Sequence, residues 1–411
     1  MTENSLFVLG GAQSDFARNL AREGVGLAEL TREVVEAALA DAAVEPSELG
    51  TVHVGNAFGE LFTGQAQLGA LPATVVPSLW GLPAARHEAA CASGSIAALA
   101  AAAELEAGRY DCALVLGVEQ ERNVPGELAA RHLGAAAWVG HEGEGARFLW
   151  PHQFSRLADE LDRRHGLAYA HLAAIARKNF ANARHNPRAQ TRGWSFAPGA
   201  FTEDDALNPV VEGRVRRQDC GQVTDGGAAV VLASRRFAAA WAARRGFSLD
   251  NIPRLVGWGH RTAGLSLDEK LARGAGQPYL LPHLRAAILD AYRRAGLPGP
   301  EALDAVEVHD CFTVTEYLAI DHLGITPPGE AWRAVEEGAL ERGGRLPVNP
   351  SGGLIGLGHP VGATGVRMLL DAARQVAGRA GETQVDGARR VATLNIGGST
   401  TTVVSFIVGR E

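Results

Sequence analysis

Four places in the 411-residue chain carry side chains suited to covalent or proton-transfer chemistry. Cys91 stands in HEAACASGSIAALAAA, between a run of small residues and a helical pattern that begins at about Ser93. A thiol at a helix N-terminus feels the positive end of the macrodipole and nearby unsatisfied amides, so a stabilised thiolate is expected there. At the ordinary pKa of about 8.5 only roughly 3% of a cysteine is ionised at pH 7, and a fall of about two units makes the nucleophilic form the majority. Taken alone, Cys91 reads sooner as a buried, inert thiol. His359 lies in NPSGGLIGLGHPVGATG, residues 349–365, between Gly358 and Pro360 and just ahead of a helical stretch. So many small residues let the backbone approach another segment or a ligand closely, and they present the imidazole on a turn. The segment is not a phosphate loop, because it lacks Gly-Lys-Ser/Thr and no strand leads directly into a G-x-G-x-x-G.

The third place is His309-Asp310-Cys311-Phe312, which ends the expected strand VEV, where catalytic groups of open α/β sheets collect. Two polar residues buried at a strand end is the competing reading. The fourth is Asn395-Ile396-Gly397-Gly398-Ser399, after the strand pattern VATL. Adjacent glycines there free backbone N–H groups to face a substrate oxygen, and a plain tight turn has the same signature.

These residues need a scaffold, and the chain supplies an alternating one. Strand-like runs (SLFVLG, VHVGNAF, CALVLGVE) alternate with helical patterns at Leu30–Ala43 and after Cys91, the rhythm of a layered α/β protein. The order recurs: a helix over Leu284–Ala295, the run GLPGPEALDAVEVHDCF, a glycine-rich turn, a helix through Arg367–Val376 and the strand RVATLNIGG. An offset of 254 lays Pro46 on Pro300, Leu49 on Leu303 and VHVGNAF on VEVHDCF, which points to an internal duplication. Residues 124–220 differ in character, being rich in His, Arg, Trp and Asn, and read as an insertion covering a site. The expected division is 1–123 with 221–252 as one half, 124–220 as the insertion, and 253–411 as the second half.

Composition narrows the function classes. With 46% hydrophobic and 21% charged residues, the chain is neither disordered nor fibrous. A net charge of -7 gives no reason to expect nucleic acid as a partner. The most apolar stretch, Ile96–Leu105, falls well short of the roughly 20 residues of a bilayer span and reads as a buried helix. Glycine, at 50 residues, is in excess of the usual roughly 7%. The four cysteines, Cys91, Cys112, Cys220 and Cys311, form no C-x-x-C pair, so neither a disulfide framework nor a zinc ribbon is expected. That usage suits a reducing compartment. Without a secretory pattern or a peroxisomal tripeptide, the expected location is cytoplasmic.

At these four places the sequence resembles the thiolase family, and the resemblance runs through nearly the whole chain. Cys91 matches the family's acylated cysteine, and Gly358-His359-Pro360 matches its GHP block. RRQDCGQVTDGGAAVVLAS, 216–234, is similar to the segment that returns from the family's loop domain. HDCF, where many thiolases carry Asn-Glu-Ala-Phe, is the form of the sterol-carrier-protein type, whose loop domain RKNFANARHNPRAQ, 177–190, also resembles. In one departure, Asn395 stands where many thiolases have the acid/base cysteine of Cys-x-Gly; within the subtype that duty is understood to pass to the cysteine of HDCF, here Cys311.

The resemblance implies a duplicated five-layered α-β-α-β-α fold with an inserted loop domain. It implies a 3-ketoacyl-CoA thiolase or acetyl-CoA acetyltransferase, acting in fatty-acid β-oxidation or in the reverse Claisen direction. Cys91 would be the nucleophile and His359 its base. Cys311 would be the acid/base, His309 with His359 would donate to the enolate oxygen, and the N–H groups of Cys91 and Gly397 would hold the tetrahedral oxyanion. Coenzyme A enters as substrate, with no permanently bound cofactor and no metal. Its contacts are expected within 124–220, where Lys178, Arg184, Arg188, Arg214, Arg216 and Arg217 carry positive charge, each equally readable as solvated surface. Cys112 and Cys220 read as structural. A homodimer or homotetramer is implied. Two other readings stand beside this one: a thiolase-like aldolase with a small zinc-ribbon/OB-fold partner, and a non-catalytic acyl-binding subunit. The retention of Cys91, His309, Cys311 and His359 counts against both.

Overall fold

Strands buried along their whole length need cover on both faces, and the sequence has several: every residue of CALVLGVE is buried, as are eight of the nine in GGAAVVLAS. The computed structural model describes residues 5–410. Its strands are β1 (Leu6–Gln13), β2 (Thr51–Gly55), β3 (Ala84–His87), β4 (Cys112–Glu119), β5 (Val210–Glu212), β6 (Val215–Arg216), β7 (Gly226–Ser234), β8 (Arg254–Thr262), β9 (Ala305–Val308), β10 (Arg390–Gly397) and β11 (Thr402–Gly409). Nine of them form one sheet in the order β3-β2-β4-β7-β1-β8-β11-β10-β9, and β5 with β6 makes a separate hairpin.

The order shows the duplication. From the seam outward, β1-β7-β4-β2 in the first half is repeated as β8-β11-β10-β9 in the second, with β3 as an extra edge strand of the first. In each half the pair β2–β4 or β9–β10 is parallel and the pairings between it and the seam are antiparallel, while the extra edge strand β3 runs parallel to β2. The half-sheets meet through the antiparallel pairing of β1 with β8 at Leu6–Leu255 and Phe7–Arg254. The 254-residue offset places Thr51, the first residue of β2, on Ala305, the first of β9.

The sheet closes around two helices, Ser93–Glu106 and Thr364–Ala377, whose apolar faces share one core with both half-sheets: Ala97, Ala101 and Val366 pack with Val230, Val391 and Phe406. Alanines on Ser93–Glu106 keep this middle layer thin, each buried methyl contributing about 0.8 kcal/mol. Helix Leu27–Ala42 covers the outer face of the first half. Helices Pro282–Ala295 and Thr313–Leu323 cover the second. The layers are therefore α-β-α-β-α. Between β4 and β7 the chain leaves the sheet and forms helices Gly126–Gly134, Leu149–His165 and Tyr169–Ala183 and the β5–β6 hairpin. No described helix is long and apolar enough to cross a membrane.

Candidate active site

The two middle helices start at the same place. Cys91 precedes Ser93–Glu106 by two residues, and His359 precedes Thr364–Ala377 by five. Glycine makes their approach feasible. A Cβ on Gly94 would lie 2.7 Å from the carbonyl oxygen of Gly362, and one on Gly117 would lie 2.5 Å from it, both inside any tolerable contact. The third component is the end of β9, which delivers His309 and Cys311, and the fourth is the turn after β10.

These segments converge. Cys91 Sγ and ring nitrogens of His309 and His359 lie within 4.8 Å of one another, and the two imidazoles meet edge to face with centroids 5.1 Å apart. Cys91, Cys311 and His359 line one cavity of about 430 Å³. Its walls are mainly apolar: Phe58, Leu133, Phe148, Trp150, Phe154 and Phe312. Trp150 is fixed by an Nε1–H bond to Leu133 O at 2.9 Å, and Phe154 stacks on Phe312 at 4.6 Å.

Hydrogen bonds assign the protons. Thr364 Oγ1 donates to Pro360 O at 3.0 Å, so its lone pair accepts from His359 Nδ1–H at 2.7 Å, leaving His359 Nε2 as the basic nitrogen. Ser95 Oγ donates to Asn395 Oδ1 at 2.7 Å, which orients the amide. Asn395 Nδ2 then donates to Cys91 O at 3.1 Å and to His309 Nδ1 at 3.0 Å. His309 therefore carries its proton on Nε2 and presents a donor. In this tautomer it is no metal ligand through Nε2, although the three groups stand at ligand spacing.

Electrostatics corrects one expectation. The helix terminus does not deliver a resting thiolate: burial, then the charge of Glu121, push the Cys91 thiol up to about 12, against the N–H groups of Gly398 and Cys91 that favour the anion. Desolvation outweighs the dipole because the sulfur is buried beside the carboxyls of Glu121 and Glu119. Burial and the nearby Arg367 guanidinium push His359 down to about 3. Burial, then His359 and Arg367, hold His309 well below the imidazole range. The resting pair is a neutral thiol and a neutral imidazole. Cys311 is pushed well above the thiol range by burial and by its neighbours Cys91 and Asp310, so it too holds its proton.

The amides that favour the Cys91 anion are those of Gly398 and of Cys91 itself, and Gly398 lines the cavity beside it. Gly397 is the last residue of β10, in register with Thr402, while Gly398 turns into the left-handed region at φ 63°. Asp310 serves the frame: its carboxylate accepts from Leu354 N at 2.5 Å, Ile355 N at 3.2 Å and Asn179 Nδ2 at 2.8 Å, tying the end of β9 to the glycine-rich segment.

Of the cations expected near coenzyme A, Lys178 is buried and bonds Glu316 Oε1 at 2.8 Å, Asn179 Oδ1 and Val348 O, because Glu316 would otherwise be a buried carboxylate without a counter-ion. Arg214 pairs with Asp159 and Asp162, and Arg216 with Asp205. Arg184 and Arg188 line a different groove, with Arg374 and Arg379. Arg217 alone of the six lines the cavity that holds Cys91. Cys112 is buried in β4, while Cys220 lines the cavity wall and donates its thiol to Arg216 O at 3.3 Å.

Sequence reasoning passed over Ser95, Thr364 and Glu121. Ser95 and Thr364 carry a spacing signal, four and five residues beyond Cys91 and His359. Glu121 follows Glu119 at the end of a fully apolar strand, where a second acid is unexpected on a buried path.

Residues 6–193 match the thiolase N-terminal domain, and residues 276–410 match the thiolase C-terminal domain-like family. An acetyl-CoA acetyltransferase of Methanothermobacter thermautotrophicus is 31% identical over 408 residues, spanning 98% of this chain and 99% of its own length. Sterol carrier protein 2 of Gallus gallus is 28% identical, spanning 99% of this chain and 72% of its own. Among solved structures, the Ltp2-ChsH2(DUF35) aldolase shares the fold with a TM-score of 0.75 at 20% identity, over 100% of this chain and 99% of that one.

Proposed function

The chain belongs to the thiolase family, and from that premise we propose that its apolar cavity carries out CoA-dependent acyl transfer through an acyl-enzyme on Cys91. The observation that carries the assignment of roles is the neutral Cys91 thiol beside the basic Nε2 of His359, with the Gly398 amide favouring the Cys91 anion. As Sγ attacks the keto carbon of a 3-ketoacyl-CoA, its proton passes to His359 Nε2. The N–H groups of Gly398 and Cys91 receive the oxyanion. Cleavage between the α and β carbons leaves acyl-Cys91 and an enolate, whose thioester oxygen accepts from His309 Nε2–H. Cys311, still protonated, gives its proton to the enolate carbon and releases acetyl-CoA. Incoming CoA loses its thiol proton to the Cys311 thiolate and attacks acyl-Cys91; the Cys91 sulfur leaves, taking its proton back from His359 Nε2, and the shortened acyl-CoA departs. Coenzyme A is thus a substrate, and no step calls for a resident cofactor.

The aromatic walls support acyl chains longer than that of acetoacetyl-CoA, and with them a setting in fatty-acid β-oxidation. Four free thiols suit the cytoplasm. The open edge of β3, half-buried to exposed, supports a dimer built on that edge. The test is a thiolysis assay with acetoacetyl-CoA and with longer and branched 3-ketoacyl-CoA esters, run beside intact-mass detection of the enzyme. Ping-pong kinetics and an acyl adduct on Cys91 are expected; turnover with no adduct would overturn the covalent mechanism, and no turnover with any ester would overturn the activity.

Asn395 gives this reading a sharp local prediction. It pins the His309 tautomer, so Asn395→Ala is expected to lower kcat by about 100- to 1000-fold, the usual effect of losing one oxyanion donor, with KM little changed. Nitrogen NMR of His309 would show Nε2 no longer exclusively protonated. Full activity in this variant would remove His309 from the enolate site.

A further inference from the structure

Lys270, in the short helix Leu267–Arg273, is 2% exposed and faces no carboxylate at ion-pair distance among the described residues. Its ammonium donates to Leu265 O at 3.0 Å, Ser399 Oγ at 2.7 Å and Thr401 Oγ1 at 2.8 Å, using all three hydrogens. A buried cation without a counter-ion is costly, and a fold that keeps one puts it where its donors or its charge matter. Both hydroxyls belong to the turn between β10 and β11. That turn carries two left-handed residues, Gly398 at φ 63° and Thr400 at φ 63°. Thr400 is β-branched, so the conformation is strained and must be held by its surroundings. His283 Nε2–H contributes by donating to Thr400 O at 2.8 Å. The other end of the same turn, Gly398, lines the cavity that holds Cys91, and its amide favours the Cys91 anion.

We propose that Lys270 is a positioning residue for acyl transfer: it fixes the Gly397–Thr402 turn so that the Gly398 amide meets the oxyanion, and it places a positive charge behind that amide. The proposal rests on the assignment of Cys91 as nucleophile. The charged and titratable groups around Lys270 are Glu142, whose carboxylate accepts from Leu267 N at 2.7 Å, and the imidazoles of His283 and, behind it, His322. Burial lowers Lys270 to about 8, with Glu142 opposing. The ammonium is therefore present below that pH and lost as the pH rises through it. A neutral amine has two hydrogens and cannot serve three acceptors.

Single-turnover acetylation of Cys91 by acetyl-CoA tests this without CoA as a reactant, whose own thiol titrates in the same range. In the wild type the acetylation rate is expected to fall as the pH rises past about 8. Lys270→Met should slow acetylation about 10- to 100-fold, less than or equal to the loss of a direct oxyanion donor, and should flatten that alkaline fall. Lys270→Arg, which stays charged, should recover part of the rate and also remove the fall. Acetylation of folded Lys270→Met at the wild-type rate would overturn the proposal. If the Met variant does not fold, a wild-type rate constant that is flat from pH 7 to about pH 9.5 would overturn it as well. A wild type that forms no acetyl-Cys91 at any pH would instead sink the nucleophile assignment, so the two failures are distinguishable.

Discussion

Cys91→Ala is expected to abolish turnover, with a fall of roughly 10⁴-fold or more, because the covalent route has no substitute for its nucleophile and the residual rate comes from binding and oxyanion donors alone. The structure adds a constraint that a simple loss of activity would not test. Cys91 rests as a neutral thiol, its pKa pushed up to about 12 by burial and Glu121. Alkylation of the free enzyme by iodoacetamide should therefore be slow at pH 7 and should still be rising at pH 9.5, unlike a cysteine that is already ionised. Acylation by substrate should be fast at pH 7 all the same, because His359 takes the proton during attack and not before it. Rapid alkylation at pH 6 would show a resting thiolate and would refute the neutral pair. Retention of full turnover in Cys91→Ala, or an acyl adduct found on another residue, would refute the nucleophile itself. Cys91→Ser offers the intermediate case. The weaker nucleophile keeps the shape of the site and should show substrate binding near wild type with kcat close to that of the alanine variant.

Why the nucleophile was legible in the sequence while its ionisation was not is a matter of which forces are local. A small-residue run leading into a helix fixes where Cys91 sits, and the glycine-rich segment fixes that His359 lies on a turn; both follow from backbone sterics within a few residues. The two helix patterns, Leu30–Ala43 and Leu284–Ala295, fall on Leu27–Ala42 and Pro282–Ala295, and the 254-residue offset reproduces the start of β2 at β9. Desolvation is not local. It depends on Glu119 and Glu121 from β4 and beyond, on Arg367 from the other half, and on a cavity closed by Leu149–His165. Lys178 makes the same point in reverse. Its sequence neighbourhood is basic, and only the buried Glu316, 138 positions away, shows that its charge is used inside the protein. Register at single-residue precision was equally out of reach: Gly397 and Gly398 are indistinguishable as residues, and only the structure shows that the β10–β11 ladder closes at Gly397 while Gly398 takes the left-handed turn.

Cys311→Ala is expected to separate the two half-reactions. Cys91 should still be acylated by an acyl-CoA, since a CoA thiolate is a tolerable leaving group, while carbon–carbon cleavage and condensation should fall by about 100- to 10,000-fold, the range for loss of a positioned acid/base. Proton exchange isolates the step most cleanly. Wild-type enzyme incubated with acetyl-CoA in heavy water should wash deuterium into the acetyl methyl group, because Cys311 removes and returns that proton against an enolate held by His309. The alanine variant should acetylate Cys91 yet leave the methyl undeuterated. Cys311 is suited to this duty by its environment: burial and the proximity of Cys91 and Asp310 keep it protonated until an enolate, a much stronger base than the resting site contains, is formed beside it. Glu121, which lines the same cavity, also has a proton to give, its carboxyl being held well above the usual carboxylate range by burial and then by Glu119. Unimpaired exchange in Cys311→Ala would move the acid/base role off the thiol, and Glu121→Gln in that background would then decide whether the carboxyl carries it. With exchange lost in Cys311→Ala and retained in Glu121→Gln, Asn395 is explained as well: where many thiolases hold a second thiol at this position, this chain has an amide that sets the His309 tautomer, and the proton duty has moved to β9.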